Sequence, residues 1–141
     1  MQITGTTQSF LQQLDAFSGN TLTRRDDLGV LLELSRLNHR TKDLARLSFL
    51  AKFLSRAHGI MTRIGPRDEA YGRIAGEFST NMEEAQGITR TLLQGASRQE
   101  RGTFETRYLA MTPDGLENFL ALLHDLAWYK NWLLDHEGEN R

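Results

Sequence analysis

The histidines carry most of the chemistry available to this chain. There are four, His39, His58, His124 and His136, and no cysteine. Without a thiol there is no disulfide, no thiolate nucleophile and no zinc–thiolate site. None of the histidines belongs to the Glu-x-x-His pair of a di-iron bundle or to a His-Glu-x-x-His zinc motif. His124-Asp125 and His136-Glu137 are sequence neighbours, and adjacent helical residues do not face each other. No metal and no cofactor is therefore expected. Gly-x-Ser-x-Gly, phosphate-loop and dinucleotide motifs are missing as well, so no catalytic set is expected. The paired carboxylates have quieter explanations. Asp26-Asp27 suits the positive end of a helix dipole, and Glu83-Glu84 suits a solvated face. Arg36, Arg40, Lys42 and Arg46 spread around a helix and are balanced by acids elsewhere, which argues against a nucleic-acid stripe.

These residues must be positioned by helices. Asp26–Gly59 has no proline and only one glycine before its end, which predicts one long amphipathic helix. Thr23 is a candidate cap and Gly59 a candidate stop. Val30, Leu34, Leu37, Leu44 and Ala51 form the expected buried stripe, interrupted by Thr41 and Ser48. Leu47, Leu50, Leu54 and Ala57 then move it around the helix. Ahead of it, Phe10, Leu11, Leu14 and Phe17 predict a short capping helix over 7–17. Residues 60–65 read as an inward loop, and Pro66 as the first residue of an antiparallel partner lined by Tyr71, Ile74, Phe78, Met82, Ala85 and Leu92. On its other side Gly72, Gly76 and Gly87 fall on one strip, read as an exposed face. Ser97-x-x-Glu100 is a capping box, opening a helix with Phe104, Tyr108 and Met111 inward. Thr112-Pro113-Asp114 opens the last helix, whose core face carries Leu116, Phe119, Leu120, Leu123, Leu126 and Ala127. Trp128 and Trp132, with Tyr129, Ala121 and Asp125 nearby, lie away from that face. They are a candidate protein interface. Thr41, Ser48 and Thr89 place hydroxyls near the core, where bonding to their own helix carbonyls is the simple expectation.

One local pattern points elsewhere. Within Glu33–Leu50, Asn38-His39-Arg40-Thr41-Lys42-Asp43 resembles the phospho-accepting helix of histidine kinases with an H-R-x-K-N box. It is also similar to histidine phosphotransfer domains, where lysine follows histidine by three residues. The resemblance implies a four-helix domain with His39 exposed mid-helix as phospho-acceptor. Arg36 and Lys42 would flank the phosphoryl group, and Asp43 would hold the other imidazole nitrogen.

The 141 residues are 39% hydrophobic and 25% charged, with a formal net charge of -1, which suits one folded domain. Residues 1–5 and 137–141 are expected to fray. No apolar run approaches the roughly 20 residues that span a bilayer, and the start does not read as a signal peptide, so a cytoplasmic location is expected. The combined expectation is an all-α antiparallel bundle of four to five helices. It would act without catalysis by binding another protein or itself, in the latter case as a homodimer, and not nucleic acid or membrane. The alternative is a His39 phosphotransfer relay.

Overall fold

The computed structural model describes residues 22–135, and side chains over 24–129. The expected capping helix over 7–17, both frayed tails, His136 and the side chains of Trp132, Leu133 and Leu134 lie outside these. The described chain is all-α. Five helices follow one another: α1 Leu22–Leu37, α2 Thr41–Ile64, α3 Tyr71–Leu92, α4 Arg98–Arg107 and α5 Pro113–Asp135. A short 3-10 turn, Leu93–Gly95, separates α3 from α4. Among the described residues there is no strand, and no helix is long and apolar enough to cross a membrane.

Helix α2 is the spine, packed along α3 on one side and α5 on another, with α1 laid against all three. The core joins Leu28, Leu31 and Leu34 of α1 to Leu47, Leu50 and Leu54 of α2. Met82, Ala85 and Leu92 of α3, Phe104 and Tyr108 at α4, and Phe119, Leu122 and Leu126 of α5 complete it. Burying such side chains is the main favourable term, about 1.5–3 kcal/mol each.

The long helix of the sequence reading is two helices. It breaks at Asn38–Arg40, where the chain forms a Schellman stop. The Arg40 amide donates to the Ser35 carbonyl at 2.8 Å and the His39 amide to the Arg36 carbonyl at 3.4 Å. His39 takes the left-handed position, with φ of 55°. The break turns Leu37 and Thr41, expected in the core, out to solvent.

The next boundaries also move. Gly59 does not stop α2, which runs on to Ile64, so 60–64 is helix and not loop. Gly65 ends it with φ 79° and ψ 166°, a conformation open essentially to glycine alone. Pro66 does not begin α3. A turn fills 66–70, where the Ala70 amide donates to Asp68 Oδ1 at 2.8 Å, and α3 starts at Tyr71. Gly72, Gly76 and Gly87 are exposed and face open space.

The later signals hold because they are local. The Glu100 amide donates to Ser97 Oγ at 3.1 Å, and the Ser97 amide to Glu100 Oε1 at 3.1 Å, closing the capping box. The Gly115 amide donates to Thr112 Oγ1 at 3.1 Å at the start of α5. Phe104 and Tyr108 are buried, but Met111 lies past the end of α4 and is 75% exposed, not inward.

Candidate functional site

His39 is exposed, as a phospho-acceptor must be, but it sits at an elbow between helices and not within one. Its proposed helpers look elsewhere. Arg36 donates to Glu33 Oε2 from Nε at 3.1 Å and from Nη2 at 2.9 Å. Asp43 accepts from Arg40 Nη1 at 3.4 Å. The imidazole makes no side-chain hydrogen bond among the described residues. Lys42 is exposed one helical turn away. The elbow rests on the 3-10 turn so closely that a Cβ on Gly95 would fall 2.5 Å from Asn38 Nδ2.

The side of α5 that carries Ala121, Asp125 and Trp128 does not point away from the body. Trp128 and Tyr129 are half-buried and pack against the core. Asp125 is buried and accepts from Arg24 Nε at 2.6 Å, tying α5 to the start of α1. Periodicity placed Asp125 on the side away from the core stripe; burial is possible because its cation arrives from a residue 101 positions away.

Asp27 is likewise not a first-turn dipole residue. It lies in the second turn of α1, buried, and accepts from Arg107 Nη1 and from the Tyr108 hydroxyl. Burial first, then the Asp27 carboxylate, push the Tyr108 phenol well above its usual range. Burial and the charge of Glu33 raise Tyr129 in the same direction. Glu33 itself is fully buried. Asp27 ties α1 to the end of α4, and Asp125 ties α5 to the start of α1. The Thr89 hydroxyl bonds the Ala85 carbonyl at 2.8 Å, as expected. Ser48 and Ser35 are buried, and their hydroxyls have no hydrogen-bond partner among the described residues, so for Ser48 the expected carbonyl bond is not made. Among the described residues no three His, Asp or Glu side chains gather as a metal cage.

The surface feature that sequence reasoning missed lies on α2. Lys42, Arg46, Phe49, Phe53, Arg56, Ile60 and Arg63 follow in steps of 4, 3, 4, 3, 4 and 3 residues along its outer side. Phe49 is 57% exposed. The Arg46 guanidinium lies 5.3 Å from the Phe49 ring centroid and also forks onto Glu84 of α3, at 2.6 and 2.9 Å. That hydrogen bond holds the Glu84 carboxyl below the usual carboxylate range. Asp43, the one acid within α2, is taken by Arg40. Lys42, Arg56 and Arg63 form no ion pair among the described residues.

The same helix runs past the core. Fully buried positions end at Ala57 on α2 and begin at Met82 on α3. Beyond them Ile60, Met61 and Ile64 of α2 and Ile74, Ala75 and Phe78 of α3 are only half-covered, with the His58 and Phe78 rings 6.2 Å apart. The α2–α3 hairpin thus projects an apolar, cation-lined end. These residues stand at helical spacing along α2, but a second, deeper apolar stripe on the same helix obscured them. Comparison with family models, with curated proteins and with solved structures gives no match.

Proposed function

We propose that this chain is a non-catalytic helical module of the cytoplasm that acts by binding another protein. The observation that supports this is the outer side of α2. A 24-residue helix, about 36 Å long, keeps a large aromatic side chain in water among cations. Exposing such a ring forgoes burial worth about 1.5–3 kcal/mol, which a partner recovers by covering it. The half-covered end of the α2–α3 hairpin extends the same surface. The edge at Trp128 and Tyr129, named first from sequence, is a second place for the same partner to reach, since both rings are only half-buried.

The test is a photo-crosslinking amino acid placed singly at Phe49, Phe53 and Trp128, with Glu105 on α4 as the control position, in the protein's native cells. A discrete protein adduct from the first three and not from the control is the expected result. Adducts at none of them overturn the reading.

A second reading is supported by the exposure of His39 at the elbow. A receiver domain's aspartyl phosphate would pass its phosphoryl group to the imidazole, the N–P bond forming as the acyl phosphate P–O bond breaks. Intact mass would then show an acid-labile, base-stable phosphate that disappears in His39→Ala. No phosphate after challenge with phosphorylated receiver domains removes this reading.

A further inference from the structure

We infer that the outer side of α2 docks an acidic amphipathic helix of another protein, lying along α2. The inference rests on the binding role proposed above and names the partner's chemistry.

The face comes first. Lys42, Arg46, Phe49, Phe53, Arg56, Ile60 and Arg63 share one side of α2, because steps of four and three residues return to the same side of a helix, and they extend over about 32 Å. Phe49 is the exposed apolar residue among them, while Phe53 and Ile60 are half-buried and Phe53 also packs against the core.

Charge then selects the partner. The cations on this face, Lys42, Arg46, Arg56 and Arg63, outnumber the acid beside it, Glu84. A second copy of this chain fits poorly. A parallel pairing sets each cation against itself, and an antiparallel pairing about Phe53 sets Lys42 near Arg63. Arg46 is held by Glu84, and a helix bearing glutamates beside its apolar side meets the remaining cations, Lys42, Arg56 and Arg63, with opposite charge. Phe49 and its stacked Arg46 form the central anchor, a residue pair of the kind enriched at hot spots.

The experiment uses a synthetic four-heptad peptide with leucine at a and d and glutamate at e and g, which self-repulsion keeps monomeric. The control peptide carries lysine at e and g. Binding to the full chain is followed by fluorescence anisotropy, with oligo-dT and phosphatidylserine vesicles as competing probes. The acidic peptide is expected to bind and the lysine peptide not. Affinity should fall about tenfold or more between about 50 and about 300 mM salt as screening shortens. Phe49→Ser and Arg56→Glu should each weaken binding about tenfold or more. Both sites are exposed, and helical content by circular dichroism checks that the variants fold. No binding of the acidic peptide, or binding unaffected by both substitutions, overturns the inference. So does tighter binding of oligo-dT or vesicles with the same dependence on Phe49 and Arg56. If the peptide fails while crosslinks from Phe49 still capture a protein, the acidic-helix inference falls and the binding role stands. If the crosslinks fail as well, both fall.

Discussion

The Tyr108 hydroxyl donates a hydrogen bond to the carboxylate of Asp27, a residue 81 positions earlier in the chain, and both side chains are buried. Arg107 donates to the same oxygen from the surface side. The carboxylate is thus solvated by protein, and it clamps α1 to the end of α4.

Removing the acceptor should therefore be costly. Asp27→Ala strands the Tyr108 hydroxyl in the core, at about 2–3 kcal/mol of stability. Arg107 is partly exposed and turns to water, so its share is small. Urea unfolding should also show a coupling of about 1 kcal/mol between Asp27→Ala and Tyr108→Phe. Additive effects would mean that the hydrogen bond does little.

Stability should decline in alkali. The Tyr108 and Tyr129 phenols are raised above the usual value of about 10 in the folded chain. Above that pH the unfolded chain releases protons that the folded chain retains, so rising pH favours unfolding. The contribution is fully present below about pH 10 and is lost as pH climbs toward the folded values. Urea midpoints between about pH 9 and 11 should fall for the native chain and fall less steeply for Tyr129→Phe.

His39 occupies a left-handed position that costs a side-chain-bearing residue about 1–2 kcal/mol. His39→Gly should raise stability by about 1 kcal/mol and His39→Val should lower it, read by thermal denaturation. An elbow that straightened into one helix would reverse the sign for His39→Gly, because glycine would then weaken a helix interior.

Two glycines should respond oppositely to alanine. A Cβ at Gly115 would lie 2.3 Å from the Ala110 carbonyl oxygen, a backbone atom that cannot swing aside. Gly115→Ala should cost about 1–3 kcal/mol. Gly59 sits within α2 with nothing near its absent Cβ, so Gly59→Ala should gain about 0.5–1 kcal/mol. Equal effects in chemical denaturation would contradict the packing at Gly115.

The sequence by itself determined the all-α class, the Ser97–Glu100 capping box, the Thr112-Pro113 start and most of the apolar core. Each of these depends on residues three to seven apart, a range over which backbone geometry alone fixes who meets whom. Tertiary structure decided the rest. The break at His39 exists because the gain from folding α1 back onto α2 and α5 exceeds the local cost of a left-handed residue; no propensity in Asn38-His39-Arg40 demands it. Asp27 and Asp125 are buried because Arg107, Tyr108 and Arg24 are brought to them from 80 to 101 residues away. Phe49 and its cations form a free face for the same kind of reason. Both stripes of α2 have helical periodicity, and only the positions of α3 and α5 determine which one the bundle consumes and which it leaves for a partner.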